Sequence, residues 1–152
     1  MLKLLARAED AFCAVSLLIT SVVLFVNVVL RYVFSSSTSW AEELIRYLMI
    51  WITFIGGSVC VRKGAHIRMD FLLTIVPKSV GNAITRLVLL IAAVFCAALF
   101  VYGYRLVAFT VELEQTSPAM GIPMWLPYLA IPIGSALMVL RFVQAAFAKE
   151  GK

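Results

Sequence analysis

Four stretches without a charged residue constrain this chain most strongly; they are residues 11–30, 47–61, 87–104 and 115–140. A helix of about 20 residues crosses the hydrocarbon core of a membrane, where only helices and closed barrels satisfy all their backbone groups. Hydrophobic residues make up 63% of the 152 and charged residues only 14%, which is too little polar surface for a water-soluble domain. The sequence therefore predicts an all-α membrane protein with four transmembrane helices.

Local signals indicate where these helices begin and end. The second uncharged stretch is too short to cross alone, but Ser39 and Glu42 have the spacing of a capping box, so its helix should begin near residue 40. Pro123 suits the first turn of the fourth helix, and Pro132 predicts a kink in its middle. The apolar stretches and their short connections use the whole chain, so we expect one domain. Its predicted spans are about residues 11–33, 41–61, 85–109 and 123–143.

Basic residues mark one side of the membrane. They concentrate in both tails and between the second and third spans, and cytoplasmic segments carry such an excess. The N- and C-termini are therefore predicted to be cytoplasmic, with residues 39–47 and 117–123 on the outer side. Between the second and third spans, residues 69–76 form an apolar segment too short to cross, which favours a short helix in the membrane interface.

The residues that enzymes and cofactor proteins need are missing from the spans. The one histidine, His66, lies in a basic segment without the pattern of a zinc site, and no span offers a histidine to haem. The net charge of +5 comes from residues beside apolar segments, so it indicates membrane topology rather than nucleic-acid binding. We expect no catalytic residue, no metal, no cofactor and no nucleic-acid partner.

Charged residues at the mouth of the second span form the candidate site. Glu42 and Glu43 precede Arg46 by four and three residues, so either carboxylate can pair with it on the helix. Arg31 and Asn27, one turn apart near the end of the first helix, offer further partners. A helix clamp is the favoured interpretation, with a pathway lining or a proton relay as alternatives. The helix clamp candidates are Asn27, Arg31, Ser39, Glu42, Glu43 and Arg46.

The second span also contains small residues at helical spacing. Thr53, Gly56, Gly57 and Cys60 share one face, which allows a neighbouring helix to approach closely. A self-sufficient carrier usually needs an ionisable residue at mid-membrane for its cargo or coupling ion, and the middle of every span lacks one. The sequence therefore favours a chain that does not bind cargo by itself.

Several motifs, in order along the chain, resemble the small membrane subunit of tripartite ATP-independent periplasmic (TRAP) transporters. The most specific are S-W-A-E-E at residues 39–43 and G-A-H-I-R-M-D at residues 64–70. The second motif contains the cytoplasmic residues His66, Arg68 and Asp70. The similarity covers nearly the whole chain and its four-helix layout; the further matches are residues 27–34, 56–57 and 117–123, with Trp125, Tyr128, Pro132 and Gly134.

The resemblance implies a non-catalytic permease subunit in the bacterial inner membrane. In that family an extracytoplasmic binding protein captures the substrate, and a large membrane subunit moves it by an elevator-like motion along an ion gradient, usually of sodium. The small subunit forms a heterodimer with the large one and extends its scaffold, supporting symport of organic anions such as C4-dicarboxylates or sialic acid. Membrane lipids are further expected partners. By the same analogy, the candidate contacts with the binding protein or large subunit are Trp40, Arg105, Glu112, Glu114 and Trp125.

Three alternatives stay open on the sequence. A small four-helix carrier acting as a homodimer requires a membrane-buried carboxylate, for which only Glu42 and Glu43 at a helix mouth are available. The membrane anchor of a redox complex would have to work without haem, since the spans lack histidine. A scaffold in another assembly differs only in the identity of its partner.

Overall fold

A computed structural model of the chain describes residues 2–35, 38–73 and 78–147. The described residues form long helices and no β-strand, so the all-α prediction is confirmed. The helices are α1 (Leu2–Val33), α2 (Ser39–Leu73), α3 (Lys78–Glu112), the short α4 (Trp125–Tyr128) and α5 (Ala130–Phe147).

Four helical segments are long and apolar enough to cross a membrane, as the sequence predicts. The fourth combines α4 and α5, and Leu129 interrupts it three residues before Pro132. Proline has no N–H to donate to the preceding turn, which accounts for an interruption at this point. On which side of the membrane each end lies stays a prediction. The four segments are Leu4–Val33, Ser39–Gly64, Ile84–Glu112 and Trp125–Ala146.

The segment after the second span differs from the expected short separate helix. Residues 69–73 are the final turns of α2, which continues through residues 64–70 without a break. Because Pro77 is the first proline after Ser39, the chain has no strong helix breaker before it. Residues 74–77 and the side chains of His66, Arg68 and Asp70 lie outside what the structure describes, and the interfacial location stays a prediction.

The four long helices lie side by side in the order α1, α2, α5, α3. Packing contacts join α1 to α2, α2 to α5 and α5 to α3. The two outer helices are the less buried, with 11% of their most apolar 18 residues buried in each, against 22% and 28% for the second and fourth spans. α2 and α5 therefore form the centre of the molecule.

Glycines of α3 and α5 allow the closest helix approaches. A Cβ atom added to Gly134 of α5 would lie 2.5 Å from the Cβ of Phe54 in α2 and 2.8 Å from the Phe54 carbonyl oxygen. A Cβ on Gly103 of α3 would lie 2.7 Å from Cγ2 of Ile131 in α5. Since real Cβ atoms do not approach other atoms so closely, these two positions require the absence of a side chain.

The predicted packing face of α2 is only partly a contact face. Gly57 lies against Met138 of α5, and a Cβ on Gly56 would meet Cys13 of α1 at an ordinary 3.9 Å. Thr53 and Cys60 are exposed in this chain, so a helix contact at these two positions stays a prediction. The reason is geometric: α2 has neighbours on two sides, so the strip between those sides faces outward.

Candidate functional site

The chain between α3 and α4 folds into a hairpin that forms part of the candidate site. α3 ends at Glu112, and two residues later Glu114 takes a left-handed backbone conformation with φ of 48°. The Met124 N–H then donates to the Gln115 carbonyl at 2.9 Å, and the Ser117 N–H donates to the Ile122 carbonyl at 2.8 Å. We call this segment, residues 115–124, the 115–124 hairpin.

Glu43 joins α2 to the tip of the 115–124 hairpin. Glu43 is only 8% exposed, and its carboxylate accepts three hydrogen bonds. The Tyr47 hydroxyl donates to Oε1 at 2.6 Å, while the backbone N–H groups of Ala119 and Met120 donate to Oε2 at 3.1 and 3.0 Å. A buried carboxylate is tolerated only with such partners, so this arrangement explains how Glu43 is accommodated.

Tyr47 and Ser117 complete the surroundings of Glu43. The Tyr47 hydroxyl lies 3.2 Å from the Met124 sulfur, and both Tyr47 and Ser117 are buried. The Met120 N–H, which donates to Glu43, also donates to the Ser117 hydroxyl oxygen at 3.1 Å. Tyr47 therefore links Glu43 to the end of the hairpin, while Glu43 itself contacts the tip.

Polar contacts tie the end of α1 to the beginning of α2. The buried Asn27 side chain accepts hydrogen bonds from the Thr38 N–H at 3.3 Å and from the Thr38 hydroxyl at 3.2 Å. Arg31 pairs with Glu42 at 3.8 Å, but both side chains are well exposed, at 64% and 54%. Exposed pairs contribute less than about 1 kcal/mol, so the Asn27–Thr38 contact is the stronger link.

The helix clamp candidates thus separate into two groups. Asn27, Arg31 and Glu42 lie together at the junction of α1 and α2. Glu43 instead faces the 115–124 hairpin, because adjacent residues on a helix point about 100° apart. Arg46 shares the outward face of Glu42, and within the described residues it pairs with neither carboxylate.

The expected capping role of Ser39 also differs from the structure. Ser39 is the first residue of α2, and the preceding Thr38 accepts a hydrogen bond from the Ala41 N–H through its carbonyl at 3.1 Å. Thr38 therefore stands one residue earlier than the predicted cap. The Thr38 hydroxyl itself donates to Asn27.

A second cluster, at the opposite end of α1, joins α1 to α2 and α5. Glu9 is only 4% exposed; it accepts hydrogen bonds from the Ser58 hydroxyl and from Arg141, each at 3.4 Å. The neighbouring Asp10 pairs with Arg62 at 2.6 Å and with Lys63 at 3.2 Å. We call these residues the Glu9 cluster.

The sequence interpretation missed the Glu9 cluster, although a signal for it exists. Helices that follow one another through short connections run antiparallel, so the start of α1 lies beside the later part of α2. Acidic Glu9 and Asp10 then face basic Arg62 and Lys63, and this charge match could have been found from topology alone. Arg141 could not, because its contact depends on how α5 packs.

The predicted partner contacts are solvent- or lipid-accessible to different degrees. Trp40, Arg105, Glu112 and Glu114 are exposed, while Trp125 is half-buried at the start of α4. Their contact with another protein stays a prediction. In the part of the chain that the structure describes, no three His, Cys, Asp or Glu side chains gather in a way that could hold a metal ion.

Comparison with known proteins identifies the family. The model of tripartite ATP-independent periplasmic transporters, DctQ component, matches residues 20–150. A Haemophilus influenzae protein named as a TRAP transporter small permease protein is 31% identical, over 93% of this chain and 89% of that protein. The C4-dicarboxylate TRAP transporter small permease protein DctQ of Rhodobacter capsulatus is 29% identical, over 97% of this chain and 78% of that protein.

A longer relative contains a segment similar to this chain. The sialic acid TRAP transporter permease protein SiaT of Haemophilus influenzae is 32% identical, over 81% of this chain but only 20% of its own length. The residues matched by the family model include Glu43, Tyr47 and the 115–124 hairpin. The chain therefore belongs to the DctQ component family of TRAP transporters, as its sequence motifs indicate.

Proposed function

We propose that this chain is a static scaffold subunit that forms an obligate heterodimer with the large TRAP membrane subunit. The pair supports binding-protein-dependent symport of organic anions of the C4-dicarboxylate or sialic-acid class. An ion gradient, usually of sodium, drives an elevator-like motion of the large subunit. The family itself consists of non-catalytic permease subunits, and this chain is a multi-pass protein of the bacterial inner membrane.

The observation that carries this proposal is the use of the buried acidic residues. Among the described residues, the buried acidic side chains are Glu9 and Glu43, and each is engaged by partners within the chain. Both lie toward the ends of helices rather than at the middle of a span. A self-sufficient carrier needs a free ionisable group inside the membrane, so this distribution supports a subunit without its own cargo site.

TRAP small permeases work with a large membrane subunit, and longer relatives support a lasting pairing. The isethionate TRAP transporter permease protein DctMQ of Oleidesulfovibrio alaskensis is 27% identical over 72% of this chain, which corresponds to 17% of its own length. In that protein and in SiaT, a segment like this chain is part of a much longer polypeptide. Fusion keeps two chains at equal amounts, which supports a one-to-one complex.

The names of relatives support small, polar organic cargo and do not select one compound. They include C4-dicarboxylate, sialic acid, isethionate and, for a Halomonas elongata protein 25% identical over 94% of this chain, ectoine. Because the buried acidic side chains among the described residues are engaged within the chain, we assign the choice of cargo to its partners. Within the proposal, the binding protein is the partner for the exposed residues Trp40, Arg105, Glu112 and Glu114.

Co-purification and reconstitution test the proposal. The chain is expressed with the large membrane subunit of the same organism, purified through a tag on the small subunit, and reconstituted with the binding protein and a sodium gradient. Uptake of radiolabelled malate, sialic acid, ectoine and isethionate is then measured. We expect equal amounts of both subunits, and gradient-dependent uptake of at least one probe only when both are present. Uptake by the chain alone, or recovery without a large partner, would overturn the proposal.

A further inference from the structure

We propose that Glu43 is a positioning residue that holds the tip of the 115–124 hairpin in one conformation, and that this tip is where the binding protein docks. The identity of the partner rests on the proposed function, whereas the role of Glu43 in the hairpin does not.

The contact between Glu43 and the hairpin joins distant parts of the chain. One carboxylate oxygen accepts N–H groups from two consecutive residues, Ala119 and Met120, which lie 76 and 77 residues further along. The other oxygen is held by Tyr47, one turn along the same helix. Tyr47 of α2 thus holds one oxygen of Glu43, and the other oxygen fixes the position of the two amides.

The tip of the hairpin has few other restraints of its own. The bonds between Ser117, Gly121 and Ile122 close the turn, and Gly121 takes a left-handed conformation with φ of 66°. Among the described residues, the Ala119 N–H donates to Glu43, and the Met120 N–H donates to Glu43 and to the Ser117 hydroxyl. Without Glu43 these amides lose a charged acceptor, so the tip should sample other conformations.

The surface of the hairpin indicates the chemistry of its partner. Residues 117–123 contain no charged residue, and Pro118, Ala119, Gly121 and Pro123 are exposed. The exposed carboxylates of Glu112 and Glu114 lie just before the hairpin in the chain. A folded protein with a small apolar spot bordered by basic side chains would match this surface. Recognition of an uncharged tip depends on its shape, so an ordered backbone matters more here than at a charged surface.

Hydrogen exchange tests the positioning role directly. In the purified chain, Glu43→Ala should speed amide exchange in peptides covering residues 117–122 by about tenfold or more, the effect of losing a hydrogen bond to a charged group. Glu42→Ala is the matched control, because the neighbouring carboxylate is exposed and, among the described residues, pairs with Arg31 and not with the hairpin. Its exchange in this segment should equal that of the wild type. Unchanged exchange in Glu43→Ala would overturn the positioning role.

A general loss of folding is separated from the local effect by α5. Peptides from residues 131–139 should keep their protection in Glu43→Ala. If they lose it, Glu43→Gln decides, because the amide keeps the size of the side chain but is a neutral and weaker acceptor than the carboxylate. Faster exchange confined to residues 117–122 in that variant supports the proposal, and wild-type exchange there overturns it.

Transport kinetics test the docking role. With the assembled transporter in proteoliposomes, uptake of the probe that the wild type transports is measured at increasing concentrations of loaded binding protein. Glu43→Ala should raise the apparent KM for the binding protein by up to about tenfold with Vmax largely kept, because only molecules with an ordered tip bind it. Val94 of α3 is 71% exposed, and the control variant Val94→Ala should have the same apparent KM and Vmax as the wild type.

The two ways of failing are distinguishable. A lower Vmax at unchanged apparent KM, with equal recovery of both subunits, would exclude the hairpin as the docking surface. A wild-type chain that recovers no large subunit would contradict the proposed function instead. In that case the exchange measurement on the purified chain still decides whether Glu43 holds the hairpin.

Discussion

Two adjacent glutamates illustrate how residue type alone does not decide a role. Glu42 is exposed and forms a long pair with Arg31, while Glu43 is buried and bound by a hydroxyl and two backbone amides. The difference follows from one step along a helix, which turns the side chain by about 100°. Sequence spacing identifies both as candidates for a helix clamp, and the fold gives each a different partner.

At the same scale, the Glu9–Arg141 pair yields a prediction about stability. Both side chains are largely buried, at 4% and 11% exposure, so removing one partner leaves the other charge uncompensated. Glu9→Gln should lower the free energy of unfolding in detergent or bicelles by about 2–4 kcal/mol. The double variant Glu9→Gln, Arg141→Gln should lower the free energy of unfolding by less than the sum of the two single variants, the difference being about 1 kcal/mol or more. Strict additivity would show that the two side chains do not interact.

Asn27 makes a further residue-level prediction. Its amide oxygen accepts both donors of Thr38 across the connection between α1 and α2. Asn27→Ala should lower the free energy of unfolding by about 1–2 kcal/mol, because two hydrogen bonds are lost at a buried position. Arg31→Ala, which removes only an exposed pair, should change it by less than about 1 kcal/mol. Equal effects of the two substitutions in the same unfolding assay would contradict this ranking.

At the scale of the helices, the approach of α5 to α2 depends on one missing side chain. Gly134→Ala should force α5 away from Phe54 and lower the free energy of unfolding by about 1–3 kcal/mol, since a Cβ there would meet the backbone of α2. Gly64→Ala in α2 is the matched control, because a Cβ there meets nothing within 4 Å. It should leave stability unchanged or raise it by up to about 1 kcal/mol through helix propensity. A cost at Gly64 equal to that at Gly134 would contradict the packing argument.

The connections between helices show which features of their structure can be predicted from neighbouring residues and which cannot. α2 continues without interruption as far as Leu73, because no proline occurs before Pro77. The apolar segment at residues 69–76 nevertheless suggests a separate short helix when it is considered alone. The 115–124 hairpin is marked in the sequence by its prolines and Gly121, but its attachment to Glu43 is not. The residues that form a turn are neighbours in the sequence, whereas Glu43, which binds this turn, lies more than 70 residues away from it in the chain.

At the scale of the whole molecule, the charge distribution predicts the orientation in the membrane. In a variant without Cys13, Cys60 and Cys96, a single cysteine replacing the exposed Pro118 should react with a membrane-impermeant maleimide on intact cells. A cysteine added after Lys152 should react only after the cells are made permeable, because the basic tails favour the cytoplasm. The reverse labelling pattern would contradict the predicted topology.

The arrangement of the helices also bears on how the molecule works. The four helices lie in a row, so most residues of the two outer helices are exposed. Its internal polar contacts lie at the two ends, in the Glu9 cluster and around Glu43. These contacts join neighbouring helices to one another, which suits a rigid subunit more than one that moves cargo.

The sequence by itself determined the membrane class, the number of spans and the family. Hydropathy and motif order are local properties, so each can be recognised without knowing which helices are neighbours. The tertiary structure alone decided that Glu43 faces the hairpin, that Arg141 reaches Glu9 across 132 residues, and that Gly134 marks a close contact between α5 and α2. The physical reason is that partners in a membrane are chosen by which faces of packed helices meet, and that choice depends on the whole row of helices at once.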